Sequence, residues 1–354
     1  MANQNSIKTI LEQAQREFVF SAYQCVLESP KASLCLFGGI TTYFEDQKPV
    51  TQSSLFDLAS LTKPLCTVSI LARLFERGLF SLDQELGEVA PEWKKTGYGS
   101  LRINQLLSHS AGLLDWFPFF ETGSWKKTLL AQPETFLKNP PGSGARYSDV
   151  GFLLLGTAIE NLVQDSLKNC FEKEVTGPLG LKGISFAPVA KELAVATEWR
   201  QTTKQCLQGE VFDENAASLG GVAPHAGLFG SAEGLQPFCR EWLKAVQGKS
   251  HWLEQKTAQT FTKRAGLVAQ SSWALGWDTR SFEGSSAGSL FSNQSFGHLG
   301  FTGTSIWIDP EASAFCILLT NRVHPSRLDE RIRRFRPLLH DEVFRFWKEL
   351  ENEK

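Results

Sequence analysis

The sequence lacks the patterns that mark disulfide-rich, zinc-binding or membrane-spanning proteins. Its seven cysteines stand singly and in odd number, with no Cys-x-x-Cys pair, so neither a disulfide framework nor a zinc knuckle is indicated. No His-Glu-x-x-His spacing occurs, and the histidines are scattered along the chain, so we expect no metal and no cofactor. No run of about 18 apolar residues is present that could span a bilayer.

The charge of the chain is nearly balanced. The formal net charge is -2 for 354 residues, of which 42% are hydrophobic. These values are ordinary for a soluble globular protein and give no sign of a nucleic-acid or membrane partner. The apolar residues near the N-terminus recur at helical spacing, which predicts an amphipathic helix rather than a signal peptide. They are Ile7, Ile10, Leu11, Ala14 and Phe18. With the isolated cysteines, this favours a cytoplasmic protein, or a periplasmic one if a leader has been removed.

Strand patterns lie at the two ends of the chain and helical patterns lie between them. The predicted strands are 18–27, 33–41, 273–277, 303–309 and 314–320, the first two forming a hairpin. The predicted helices are 65–80, 82–90, 103–108, 133–137, 150–163 and 328–350. An antiparallel sheet assembled from both ends of a chain, with helices between, predicts an α+β architecture.

The stretch 56–64, Phe-Asp-Leu-Ala-Ser-Leu-Thr-Lys-Pro, places a hydroxyl and an amine three residues apart at the predicted start of a helix. Residues i and i+3 lie on one helix face, so Ser60 and Lys63 can meet there. The free N–H groups of a helix N-terminus would stabilise a developing oxyanion, which suits acyl transfer. The structural alternative is an N-cap role for Ser60 and a solvated position for Lys63.

Two further stretches carry polar groups at positions suited to a site. Tyr147 lies in a loop rich in Gly and Pro before a predicted helix, and a cation such as Lys63 could lower the ordinary phenol pKa of about 10. The alternatives are a packed ring for Tyr147 and an N-cap role for Ser148 or Asp149. His298 lies in a glycine-rich stretch and is expected to project from a strand edge, unless it is a hydrogen-bonded structural residue.

These stretches, in this order, resemble the penicillin-recognising serine hydrolases of the class C β-lactamase type, a family that includes penicillin-binding proteins, esterases, D-aminopeptidases and DD-carboxypeptidases. Ser60-Leu61-Thr62-Lys63 matches the Ser-x-x-Lys element. Tyr147-Ser148-Asp149 stands at the Tyr-x-Asn element and His298-Leu299-Gly300 at the Lys-Thr-Gly or His-x-Gly element. The stretches 108–113, 213–216 and 220–229 are also similar to the family.

The resemblance implies a β-lactamase/transpeptidase-like fold with a central antiparallel sheet flanked by helices and an inserted, mainly helical domain. We expect 1–80 and 265–354 to form the mixed domain and 81–264 the mainly helical region, with the active site at their junction. In such a site Ser60 would attack an acyl carbonyl while Lys63 and Tyr147 carry its proton. The backbone N–H groups of Ser60 and Phe301 would form the oxyanion hole, and Asp149, His298 and Gly300 would contact the substrate.

Two residues depart from the family pattern. Asp149 stands where Asn is usual, and an ionised carboxylate cannot donate a hydrogen bond. It could repel a substrate carboxylate, pair with Lys63 or cap the following helix. His298 stands in place of Lys and is mostly neutral at pH 7, so we expect no permanent cation for a substrate carboxylate. Both departures favour an ester, amide or amino-terminal peptide substrate over a β-lactam.

The leading prediction is a serine hydrolase, esterase-like or D-aminopeptidase-like, that forms an acyl-enzyme on Ser60 with a small-molecule or short-peptide substrate. The alternatives are a β-lactamase or DD-carboxypeptidase, and a catalytically silent binding protein. An aromatic cluster in the helical region either lines an apolar acyl pocket or belongs to the core. Its members are Trp116, Phe117, Phe119, Phe120 and Trp125. The sequence makes no prediction about the oligomeric state.

Overall fold

The protein is built on a six-stranded antiparallel sheet that joins the two ends of the chain. A computed structural model describes residues 4–352, so the outermost residues of the predicted segments 1–80 and 265–354 lie outside the described part. The strands of this part are β1 (Ala22–Ser29), β2 (Ala32–Gly39), β3 (Phe56–Asp57), β4 (Ile184–Phe186), β5 (Trp199–Arg200), β6 (Gln205–Cys206), β7 (Leu228–Gly230), β8 (Asp278–Thr279), β9 (Phe296–Leu299), β10 (Ser305–Asp309) and β11 (Ala314–Thr320).

The strand order of the large sheet is β2-β1-β11-β10-β9-β8. The N-terminal hairpin therefore pairs with the last strand, and Tyr23 lies opposite Thr320. A three-stranded sheet, β3-β7-β4, and a two-stranded sheet, β5-β6, lie outside it. The α+β prediction with a central antiparallel sheet is confirmed.

Helices cover both faces of the large sheet. They are α1 (Gln4–Arg16), α2 (Ser69–Glu76), α3 (Leu86–Val89), α4 (Ile103–Leu107), α5 (Trp125–Ala131), α6 (Pro133–Phe136), α7 (Asp149–Val163), α8 (Leu167–Phe171), α9 (Gly177–Leu179), α10 (Glu214–Ser218), α11 (Ala232–Val246), α12 (Gln255–Thr262) and α13 (Ile332–Asn352). Within residues 4–352, none of them has both the length and the apolar composition that a bilayer crossing requires.

Successive side chains of β11 pack against helices on opposite faces of the large sheet. Phe315, Ile317 and Leu319 join a core cluster with α2, α7 and α11, whereas Cys316 and Leu318 join a second cluster with α1 and α13. Successive side chains of a strand point to opposite faces, so a strand covered on both sides is apolar throughout. All seven residues of β11 are buried accordingly.

Most predicted elements agree with the structure within a few residues, but one expectation at the sheet is wrong. The stretch 273–277 is not a strand: only Trp273 makes an isolated bridge, to Asp278, and Gly276 has a φ of +81°, which reverses the chain there. Among the described residues, β8 pairs only with Phe296 and Gly297 of β9, so at His298 the strand pairs with β10 alone, and His298 has the strand-edge position expected for it. The division of the chain into 1–80 with 265–354 and 81–264 stays a prediction.

Candidate active site

Ser60 lies in a tight turn that directly follows strand β3. The turn is a short 3₁₀ helix, Ala59–Leu61, and its N-cap position is Leu58, so the N-cap alternative for Ser60 is wrong. Ala59 has a φ of +46°, which is unusual for a residue with a side chain, and its N–H donates to Asp57 Oδ1 at 2.8 Å. Such a strained backbone next to a reactive group is common at functional sites.

Lys63 is buried beside Ser60 at the start of a π-helical stretch, Lys63–Val68, that continues into α2. Its Nζ donates to Ser60 Oγ at 3.2 Å, to Asp149 Oδ1 at 2.6 Å and to the carbonyl of His225 at 3.2 Å. The solvated alternative for Lys63 is therefore wrong. Burial lowers the pKa of Lys63, but the Asp149 carboxylate and Tyr147 outweigh burial, so the pKa lies above its ordinary value.

Tyr147 completes the contact around the serine hydroxyl. Its phenol donates to Ser60 Oγ at 2.7 Å, while its ring packs 4.7 Å from the His109 ring and 5.7 Å from the Trp273 ring. The packed ring and the polar contact are thus both present. Burial raises the pKa of Tyr147 to about 12, even though the Lys63 ammonium acts in the opposite direction. The phenol is protonated in this arrangement.

The N-terminus of α7 shows which of Ser148 and Asp149 is the N-cap, a choice that the sequence left open. Ser148 is the N-cap, because its side chain accepts the N–H of Gly151 at 3.1 Å. Asp149 is the first residue of the helix and pairs with Lys63 instead of capping. Asp149 therefore pairs with Lys63 and does not cap the helix, while repulsion of a substrate carboxylate stays a prediction.

His298 is buried on β9 and is neutral. Burial, and after it the nearby Lys63, lower the pKa of His298 to about 3. Its Nδ1 donates to the carbonyl of Leu299 at 2.9 Å, because a carbonyl can only accept. The Nε2 atom consequently carries a lone pair, and it has no partner among residues 4–352.

The turn between β9 and β10 carries the second predicted oxyanion donor, Phe301. The turn is tied to the chain before Ser60, because Thr304 Oγ1 donates to the carbonyl of Leu58 at 3.1 Å and Thr302 Oγ1 to that of Asp57 at 2.7 Å. Within residues 4–352, the N–H groups of Ser60 and Phe301 have no hydrogen-bond acceptor. Two free donors at this position are what an oxyanion hole requires, and their role stays a prediction.

Two cavities open on Ser60, Tyr147 and Phe301. The first, of about 480 Å³, is also lined by His298 and Gly300 and by three arginines, and we call it the arginine cavity. The second, of about 330 Å³, is lined by Trp116 and by four carboxylates, and we call it the acidic cavity. The arginines are Arg322, Arg333 and Arg336. The carboxylates are Asp115, Asp149, Asp213 and Glu214.

The arginine cavity overturns the expectation that no permanent cation is available near His298. Arg336 is buried, and its Nη2 donates to the carbonyls of Gly300 at 2.9 Å and Thr304 at 2.8 Å. No carboxylate of residues 4–352 pairs with it. Burial, followed by the neighbouring arginines, lowers the pKa of Arg336 to about 9, so it stays charged at neutral pH. No sequence motif identified these arginines as site residues, because two of them, Arg333 and Arg336, lie on helix α13, far from Ser60 along the chain.

The pair Asp213 and His225 also belongs to the site, and the family-like stretches 213–216 and 220–229 were the signal for it. His225 Nε2 lies 3.0 Å from Asp213 Oδ1. In the described part of the chain, Asp149, Asp213 and His225 each bring one atom that could bind a metal within 4.8 Å of the others. The Asp149 oxygen accepts from Lys63, however, and the Asp213 oxygen faces His225. The geometry is therefore that of two hydrogen-bonded pairs.

The aromatic cluster of the helical region divides between core and cavity. Phe119 is buried against Phe136, with ring centroids 5.5 Å apart, and Trp125 stacks on Trp93. Trp116 is partly exposed and is the one cluster member that lines the acidic cavity. The core alternative is thus correct for most of the cluster, whereas Trp116 lines a cavity that also carries four carboxylates, and an apolar acyl pocket stays a prediction.

Comparison with known proteins identifies the family. The family model described as Beta-lactamase matches residues 20–340. The chain is 32% identical over 310 residues to "N-acetylmuramyl-L-alanine amidase" of Bacillus subtilis (strain 168), covering 78% of this chain and 70% of that protein. It is 30% identical over 319 residues to "Putative D-alanyl-D-alanine carboxypeptidase" of Escherichia coli (strain K12), covering 80% of this chain and 73% of that protein.

Solved structures share the fold at lower identity. "EstCE1, a hydrolase with promiscuous acyltransferase activity" is 20% identical with a TM-score of 0.78, covering 97% of this chain and 98% of that one. "A class C beta-lactamase" is 16% identical with a TM-score of 0.76, covering 99% of this chain and 97% of that one. With the family model matched across most of its length, the chain belongs to the beta-lactamase family of serine hydrolases.

Proposed function

We propose that the protein cleaves an amide or ester through an acyl-enzyme on Ser60. The observation that carries this proposal is the contact of Lys63 and Tyr147 with the Ser60 hydroxyl, beside two N–H groups that lack an acceptor within the described chain. The Ser60 oxygen attacks the acyl carbonyl and passes its proton to Lys63 or Tyr147 in the base form. The Tyr147 hydroxyl donates a proton to the leaving group, and water then releases the acyl group from Ser60.

The relatives favour an amide over an ester. The two described above are named for an amidase and for a carboxypeptidase, and both names refer to cleavage of an amide-type bond. The cavities of about 480 and 330 Å³ fit a small molecule or a short peptide. The chain's seven cysteines are all unpaired, which supports a reducing, cytoplasmic location.

Labelling with a fluorophosphonate, followed by intact-mass analysis, tests the role of Ser60. We expect one adduct on the wild-type protein and none on Ser60→Ala. Ser143→Ala is the matched control, because Ser143 is an exposed serine on the loop before Tyr147 and should leave the adduct unchanged. Failure to label the wild-type protein, together with ligand binding that is the same in Ser60→Ala, would instead favour a silent binding protein.

A second candidate is a carboxypeptidase that recognises the free carboxylate of its substrate. The arginine cavity favours it, because Arg336 is charged, buried and without a carboxylate partner in the described chain. Arginine binds carboxylates in a planar, two-point geometry. The test compares hydrolysis of acyl-D-alanyl-D-alanine with that of the same peptide amidated at its C-terminus, with nitrocefin as a β-lactam probe. Equal rates on the two peptides would remove this candidate.

A further inference from the structure

The surroundings of Lys63 are those of a protonated amine. Its Nζ has three acceptors, which are the Ser60 hydroxyl, the Asp149 carboxylate and the His225 carbonyl. An ammonium group has three donors, whereas a neutral amine has two donors and a lone pair. The Asp149 carboxylate and the His225 carbonyl can only accept, whereas the Ser60 hydroxyl can accept from an ammonium or donate to a free amine. The ion pair with Asp149 at 2.6 Å is the contact that favours the ammonium form. In that form no lone pair faces Ser60.

The other ionisable groups around Lys63 do not replace Asp149 as its counter-charge. His109, which follows α4, and His298 on β9 are buried, and burial followed by Lys63 itself holds both pKa values below the ordinary range. Both rings are therefore neutral. Tyr147, at the entrance of α7, is a protonated phenol.

Asp213, which precedes α10, is the remaining anion near Lys63. Its Oδ1 lies 3.0 Å from His225 Nε2 and accepts the N–H of Ala216 at 2.7 Å. It makes no hydrogen bond to Lys63, whereas Asp149 lies 2.6 Å from Nζ. Asp149 is thus the carboxylate in direct contact with the amine, and it reaches the amine from 86 positions along the chain.

We propose that Asp149 is a positioning residue that keeps Lys63 protonated in the resting enzyme, so that acylation of Ser60 is slow near neutral pH and becomes faster when this ion pair is removed. The inference rests on the proposed function, because it concerns the base that serves Ser60. The proposed effect depends on the aspartate that this chain carries at position 149, since an asparagine there would have no charge to stabilise the ammonium form of Lys63.

The direction of the effect on rate follows from the proton that must move. Attack by Ser60 requires Lys63 as the free amine or Tyr147 as the phenolate, and each base form becomes populated as the pH rises through the pKa of its group. The Asp149 carboxylate raises the pKa of both groups. Removing its charge should therefore lower both pKa values and move the rate-against-pH curve toward lower pH, whichever group is the base.

The experiment measures the rate at which a fluorophosphonate labels Ser60 as a function of pH. Wild type and Asp149→Asn are compared between about pH 6 and pH 11, a range that brackets the ordinary lysine pKa of about 10.4. The amide oxygen of asparagine can still accept from Lys63, so the contact is kept without the charge. Glu160→Gln is the matched control, because it removes a carboxylate from the same helix about 16 Å farther along its axis.

We expect the wild-type rate to be still rising above about pH 10, because the pKa of Lys63 lies above its ordinary value. In Asp149→Asn the midpoint of the curve should fall by about one pH unit or more, since a contacting opposite charge changes a pKa by about one to three. Labelling near neutral pH should then be about tenfold faster for each pH unit by which the midpoint falls. The Glu160→Gln curve should match that of the wild type.

The outcomes separate this inference from the proposed function. An unmoved midpoint in Asp149→Asn overturns the inference and leaves the proposed function standing. A wild-type rate that is already level below about pH 9 overturns it too, and this result needs no variant, so it decides the matter even if Asp149→Asn does not fold. If the wild-type protein takes no label at any pH, both proposals are wrong.

Discussion

Gly300 lies where the β9–β10 turn touches the chain that carries the nucleophile, and a single methyl group there tests the geometry of the site. A Cβ atom added to Gly300 would lie 1.9 Å from Thr304 Oγ1 and 2.6 Å from the backbone oxygen of Leu58. The Thr304 side chain can rotate, at the loss of its own hydrogen bond to that oxygen. The Leu58 backbone cannot move without moving Ser60, two residues farther on. Gly300→Ala should therefore push the turn away from Ser60.

The expected loss is larger in rate than in stability. The turn carries the Phe301 N–H, and loss of one oxyanion donor reduces the rate by about 10²–10³. Overpacking by one methyl group costs about 1–3 kcal/mol of folding free energy, which a protein of this size should tolerate. The folded variant should consequently acylate slowly while its melting temperature falls only moderately.

Fluorophosphonate labelling and the turnover of a p-nitrophenyl ester, together with thermal melting followed by circular dichroism, check this prediction. Gly144→Ala is the control, because Gly144 has open space at its Cβ position and lies on the loop before Tyr147. It should label and melt like the wild-type protein. A Gly300→Ala variant that labels at the wild-type rate would show that the Phe301 N–H is not needed, or that the turn adapts without moving it.

Two further predictions concern the hydroxyl and carboxylate groups of the site. Tyr147→Phe keeps the ring between His109 and Trp273 but removes the donor to Ser60. Ester turnover should therefore fall by about 10²–10⁴ with little change in melting temperature. Unchanged turnover would assign the proton transfer to Lys63 alone. Burial acts to raise the pKa of Asp213, but His225, the Ala216 N–H and Lys63 lower it to about 2. Because the ordinary value is about 3.9, this carboxylate contributes on the order of 2 kcal/mol above about pH 4, and the contribution is lost as the pH falls through about 2. Asp213→Asn should therefore flatten the loss of stability between these pH values, measured by denaturant unfolding, and an equally steep loss in the variant would contradict the assignment.

Local sequence was enough to predict the elements that depend on neighbours along the chain. The Ser60–Lys63 contact needed only a spacing of three residues within one helical stretch. The hairpin of β1 and β2, the strands β10 and β11 and helix α13 followed from periodicity and turn residues. The order of the three elements around Ser60, Tyr147 and His298 along the chain was sufficient to indicate the family.

Periodicity was insufficient where the backbone, not the side chains, decides. The stretch 273–277 alternates like a strand, yet the positive φ of Gly276 makes it a turn. Ser148 and Asp149 are both good N-caps by residue type, and only the path of the chain into α7 shows that Ser148 takes that position.

The charge state of the site was decided by tertiary structure alone. Burial and through-space distance set a pKa, and neither can be read from residues that lie far apart in the sequence. Asp149 meets Lys63 from 86 positions away and raises the lysine pKa, while burial lowers that of His298 to about 3. Arg336 brings a buried cation to the cavity that the sequence suggested would have none. The sequence thus determined which groups are present, and the fold determined which of them are charged and which atoms they face.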